Sequence, residues 1–143
     1  MKNIFIIMVL GLYSCTNDPK IIVYGKDNCD FCKMTIMDEK FPAQCFSKKG
    51  KNFKFDDIHC MVEFIKNGGV WSNEIDKIYF ADFNSKGNWI QPDKALLLKS
   101  DLIQSPMGGN IAVFSSEKER AEANKQYNGQ KLKWEDIRPS KQF

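Results

Sequence analysis

The chain has 143 residues, room for one ordinary domain or two very small ones. Hydrophobic residues make up 43% and aromatic residues 13%, which suits a packed core and excludes a disordered chain. The formal charge is only +3, and the lysines at 48, 49, 51, 118 and 125 stand among acids, a solvated surface and not a nucleic-acid footprint.

The first element is a leader. Lys2 precedes an apolar run, Ile4 to Leu12, that is too short to cross a bilayer as a helix and has the length of a signal-peptide core. It stops at Leu-Tyr-Ser-Cys, residues 12–15, which has the pattern of a bacterial lipobox. Residues 1–14 therefore read as a lipoprotein signal peptide, and residues 15–27 as a lipidated Cys15 with its tether. An ordinary secretory peptide or an uncleaved anchor is the other reading. Lipid on Cys15 would hold the domain to a membrane in the cell envelope, facing the periplasm or the exterior. Loss of Lys2 with the leader lowers the charge from +3 to +2.

The mature elements follow. Lys20–Asn28 is a short apolar run and a turn. Met34–Phe46 begins as a strand, with Pro42 forcing an edge or a bulge. Residues 47–52 form a hairpin loop, and Phe53–Phe55 alternates as a second strand. A helix follows, capped by Asp56 or Asp57 and stopped at Gly68, with Ile58, Met61, Val62 and Ile65 on one face. Asp76–Asn84 is the next strand. In the second half, Asn88–Ser100 is one extended stretch broken at Pro92, and Gly109–Ser116 a strand. Ser115 or Ser116 then caps a polar helix that stops at Gly129, and Gln130–Ile137 is a last strand. Both halves thus read strand, strand, helix, strand. The expected class is α+β, with ββαβ halves at 28–87 and 88–143.

The chemistry lies in sulfur. Beyond Cys15 there are four cysteines, Cys29, Cys32, Cys45 and Cys60, and outside the cytoplasm four thiols form disulfides or hold metal. Cys29 and Cys32 form C-x-x-C, a motif shared by redox and metal sites. If Cys32 and Met34 lie on a strand, they face the same way and can reach one ion. Met107 sits between Pro106 and Gly108-Gly109, a turn that presents it, whereas Met37 and Met61 suit core filling. Thiolate with thioether selects Cu(I).

The remaining donors have other readings. His59 is the one histidine and more often a local polar contact than a ligand. It adjoins Cys60 on the helix, so the two point in different directions. Cys45 and Cys60 are candidates for a disulfide closing a short loop, worth ~3 kcal/mol. Two rival functions remain: a thiol-disulfide oxidoreductase using Cys29 and Cys32, and a zinc or disulfide-stapled interaction domain built on Cys29, Cys32, Cys45 and Cys60.

Three segments together resemble the NosL family: C-x-x-C-x-M-x-I at residues 29–36 behind the lipobox, Phe-Asp-Asp-Ile-His-Cys-Met-Val-Glu-Phe at 55–64, and Ser-Pro-Met-Gly-Gly at 105–109. Its members are copper-binding accessory lipoproteins of nitrous oxide reductase assembly, with two ββαβ halves and a fold related to organomercurial lyase. The resemblance implies a metallochaperone rather than an enzyme, with Cu(I) as cargo and an apo-cuproenzyme or its assembly machinery as partner. It places the family's Cys-x-Met on Cys32 and Met34 and its Pro-Met-Gly on Pro106, Met107 and Gly108. Cys32, Met34 and Met107 are then the expected ligands, with Cys29, His59 and Cys60 as further candidates.

Overall fold

The computed structural model describes residues 18–140; Cys15 and the apolar leader lie outside them. Among the described residues no helix is long and apolar enough to cross a membrane.

The first half holds β1 (Ala43–Ser47), β2 (Asn52–Phe55), α1 (Ile58–Lys66), a single 3-10 turn (Ser72–Glu74) and β3 (Ile75–Ala81). A short β4 (Trp89–Ile90) follows. The second half holds β5 (Leu96–Lys99), β6 (Ile111–Phe114), α2 (Glu117–Tyr127), β7 (Gln130–Leu132) and a one-turn helix α3 (Trp134–Ile137). One sheet runs β2-β1-β3-β4 and the other β6-β5-β7, every pair antiparallel. The order is the same in each. The first strand of the half lies central, between its hairpin partner and the strand that returns after the helix. The α+β expectation holds at this level, and the repeat is one of topology.

Local chemistry explains the elements. Strand β1 is buried along its whole length. Ala43 and Cys45 lie opposite Phe55 and Phe53 of β2, and all four belong to the core that α1 covers. Gln44 points the other way, and the incoming chain satisfies it: Lys20 N–H donates to its carbonyl oxygen at 3.0 Å, and its amide donates to Lys20 O at 2.8 Å. A buried amide with both ends paired carries no desolvation penalty worth removing. Helix α1 buries Ile58, Met61, Val62 and Ile65, and its cap is Asp57, whose carboxylate accepts from Cys60 N–H. Helix α2 is capped by Ser116 and has no fully buried residue; it lies on β5 and β6 by its partly buried side. Phe80 packs on Trp134 and shares one core with Leu97 and Val113, so the two halves form a continuous interior.

Four expectations change. Met34–Lys40 is not a strand; only Asn28 and Thr35 bridge there, and β1 starts after Pro42. Residues 88–100 split in two, because the turn at 92–94 carries the chain from the first sheet to the second. Trp89–Ile90 therefore pairs with β3 of the first half. The last strand ends at Leu132, and at Lys133, which opens α3, the N–H donates to the Asp136 carboxylate at 2.7 Å while Asp136 N–H donates to Lys133 O at 3.1 Å. Asn128, not Gly129, takes the left-handed conformation (φ 43°) that ends α2.

Candidate metal centre

The loop from Asn28 to Thr35 is built to hold cysteine sulfur. Cys29 N–H donates to Met34 O at 2.8 Å, and Lys33 N–H donates to Cys29 O at 3.0 Å. Lys33 sits at φ 67°, which folds the segment back on itself. The loop is docked on the edge of β2 from both directions. Asp30 N–H donates to Lys54 O at 2.8 Å, and Lys54 N–H donates to the Asp30 carboxylate at 2.7 Å. That contact brings the loop against Asp56, Asp57 and the first turn of α1.

There the sulfurs of Cys29, Cys32 and Cys60 meet, all within 4.8 Å of one another. Cys29 and Cys60 are fully buried and Cys32 is partly exposed. The Cys60 thiol donates to the Cys29 sulfur, and this, with N–H groups of Asp56, Cys32 and Phe31, brings the Cys29 thiol down to about 5. Burial opposes the shift without cancelling it. Cys60 is driven up because its proton is held by Cys29, and burial adds to this. Cys32 is raised chiefly by burial, against the N–H of Met34 that donates to its sulfur. Cys29 is thus the most acidic of the three thiols, which lie at the N-terminal end of α1, where the helix dipole favours anions.

Three thiol sulfurs at this spacing suit a soft monovalent ion or zinc, and no hard cation.

The other predicted donors fall around this cluster unequally. Met34 is half exposed, and the turn at Lys33 breaks the strand geometry that would have aligned it with Cys32. Met107 is partly buried against the core that contains Cys29 and Cys60. Its loop, Ser105–Asn110, is tied to α1. Ser105 Oγ donates to the Asp57 carboxylate at 2.7 Å, and the N–H groups of Met107 and Gly109 donate to the same oxygen at 3.2 and 3.4 Å. His59 is exposed and its Cβ lies against the Gly109 backbone. Cys45 is buried in β1, where burial alone raises its thiol to about 12. All four described cysteines are free thiols, so the Cys45–Cys60 disulfide is not formed; Cys60 points into the cluster instead. Cys45 is also outside the cluster, which leaves a four-cysteine zinc site one ligand short.

The sequence offers Asp56 and Asp57 only as alternative helix caps. Asp57 is the cap, and Asp56, buried beside Cys29, has one carboxylate oxygen without a hydrogen-bond partner. The signal that identifies Cys60 was present: with Asp57 as cap, Cys60 is the third residue of α1, in the first turn that stabilises a thiolate.

The NosL family model matches residues 20–142. The chain belongs to the NosL family. Its fold is similar to that in the crystal structure of the copper chaperone NosL from Shewanella denitrificans, at 20% identity and a TM-score of 0.73. The match covers 86% of this chain and 97% of that one. No curated protein matches the chain. Within the NosL fold, then, this chain joins the loop before the first sheet to the first turn of α1 through three thiols.

Proposed function

We propose that this chain is a Cu(I) carrier, holding the ion on Cys29, Cys32 and Cys60 and passing it to an apo-cuproenzyme. The observation that carries the reading is the convergence of three sulfurs within 4.8 Å. The copper chaperone of similar fold supports the choice of ion. Cys29 offers a thiolate at once. Cys60 and Cys32 give up their protons as the ion enters. Cys32, the partly exposed member, is where an incoming ligand attacks and where exchange to a client begins. The ion passes from one thiolate set to another with no change in oxidation state. Membership of the family makes nitrous oxide reductase, or its assembly machinery, the proposed client. The lipobox makes Cys15 the proposed lipid anchor, on the outer side of a membrane. A lone exposed nucleophile, which a thiol-disulfide oxidoreductase requires, is not what the cluster offers: the low thiol, Cys29, is fully buried.

The test is anaerobic Cu(I) competition against a chromophoric chelator, for wild type and for serine variants at 29, 32 and 60. One tight site, lost with each of the three, is expected. Cu(I) affinity unchanged by all three substitutions would falsify the reading, and a tightly retained zinc that Cu(I) does not displace would replace it. The anchor is tested separately, by the mass of Cys15 in membrane fractions and its release by Cys15→Ala.

A further inference from the structure

The thiol cluster belongs to the first half of the chain and Met107 to the second. One buried carboxylate joins them. We propose that Asp57 is a positioning residue that sets the Met107 loop against the thiol-bearing turn of α1, and that Met107 acts at the site only through it. The inference rests on the copper reading above for its functional consequence, though not for its geometry.

Asp57 divides its two oxygens between the halves. Oδ1 accepts from Cys60 N–H at 3.0 Å and so fixes the thiol-bearing turn of α1. Oδ2 accepts from Ser105 Oγ, Met107 N–H and Gly109 N–H. Ser105 Oγ in turn accepts from Asn110 N–H at 2.8 Å, and Gly108 N–H donates to Ser105 O at 3.1 Å. Ser105 N–H also donates to Asn110 Oδ1 at 3.3 Å, so the loop has three internal bonds and makes as many again to a carboxylate that belongs to another element. Asp57 is 2% exposed, so water does not substitute for these donors. An ordinary helix cap needs one oxygen. The second oxygen does something a cap does not require: it holds the amides of Cys60 and Met107 on a single rigid group. Residues that orient ligands in this way govern metal affinity as strongly as many ligands do.

Asp57→Asn separates the two roles. Asparagine caps helices as well as aspartate, so its Oδ1 keeps the Cys60 N–H. Its amide nitrogen then faces the N–H groups of Met107 and Gly109 and cannot accept from them. In the metal-free protein, hydrogen exchange at the Met107 and Gly109 amides is expected to accelerate, with Cys60 still protected. Cu(I) affinity is expected to fall roughly 10- to 100-fold, and the same change made in Met107→Ala is expected to have almost no further effect. Wild-type exchange at Met107 and Gly109 in Asp57→Asn would overturn the positioning role whether or not the protein binds copper. Full additivity of Asp57→Asn with Met107→Ala in Cu(I) affinity would overturn action through Met107. If no Cu(I) binds to wild type, the copper reading fails, and the exchange result alone decides the positioning.

Discussion

The sulfurs of Cys29 and Cys60, residues distant in sequence, lie within 4.8 Å of each other in the interior, and hydrogen bonding between them lowers the Cys29 thiol and raises that of Cys60. This pairing explains how a thiolate persists where both residues are fully buried. It also fixes what metal entry must displace.

Copper binding should release protons. Near neutral pH Cys29 is already ionised, its thiol lying at about 5, while Cys60 and Cys32 are raised and protonated. Coordination by all three sulfurs expels the protons of the last two. Because protons leave on binding, affinity rises with pH and falls with acid. The expected slope is between tenfold and a hundredfold per pH unit, for one or two protons released. Competition titrations at pH 6, 7 and 8, corrected for the chelator's own titration, measure it. A flat profile would mean that Cys29 binds without its neighbours.

Cys45 should be inert. Its thiol is raised to about 12 by burial, and it lies between Phe53 and Ile78 in the sheet. Cys45→Ala is expected to cost about 1 kcal/mol of stability by leaving a small cavity and to leave Cu(I) affinity unchanged. Intact-mass counting after alkylation of the native, metal-free protein should leave Cys45 unlabelled until it unfolds. A Cys45–Cys60 disulfide found in non-reduced peptide maps would contradict the free-thiol arrangement.

Asp56 should oppose folding at neutral pH. Burial first, then the negative charges of Cys29, Asp57 and Asp38, raise its carboxyl from 3.8 to about 6. The folded state therefore holds a proton that the unfolded chain releases. The contribution of Asp56 to stability is greatest below about pH 4, falls as pH rises to 6, and stays lower above it. The rise corresponds to a ceiling of about 3 kcal/mol. Asp56→Asn removes the charge but leaves a buried amide, so a gain of about 1–2 kcal/mol at pH 7.5 is expected. Denaturant melts of the metal-free protein at pH 5 and 7.5 test this; a gain equal at both values would assign the effect to packing.

Some of this was legible and some was not, for physical reasons. Helix α1 and the caps Asp57 and Ser116 follow from local rules: a 3.6-residue apolar period and a short side-chain acceptor before it. The strand proposed at Met34 failed because Lys33 adopts a left-handed turn that no alternation of residues announces. Trp134–Ile137 turned helical because Asp136 reaches back to Lys133, a local bond that outweighs strand-like composition. The cluster itself was only half visible. C-x-x-C stands out in sequence and the first-turn position of Cys60 marks it as a candidate, but what brings the three together is the docking of Asp30 on Lys54, a tertiary contact. For the same reason a second role for Asp57 was not readable from its position as a cap.

Gly109 should be irreplaceable where the loop meets α1. A Cβ there would lie 2.8 Å from His59 Cβ and 3.3 Å from Asp57 Oδ2. Neither atom can yield by rotation, since one is fixed to the helix backbone and the other holds three donors. Gly109→Ala must therefore push the loop off the helix, and the Gly109 N–H bond to Asp57, already 3.4 Å long, breaks first. Overpacking of this kind costs ~1–3 kcal/mol, and Cu(I) affinity should fall with it. His59→Ala alone keeps the offending Cβ and, because the ring is exposed, should leave affinity within a factor of two of wild type. His59→Gly removes that Cβ, so Gly109→Ala combined with His59→Gly should recover part of the lost affinity despite the helix penalty of glycine, about 1 kcal/mol. Calorimetric melts and Cu(I) competition on the four proteins decide it. If Gly109→Ala melts and binds like wild type, the loop is not clamped against α1; if His59→Ala abolishes binding, His59 is a ligand and the three-thiol site is incomplete.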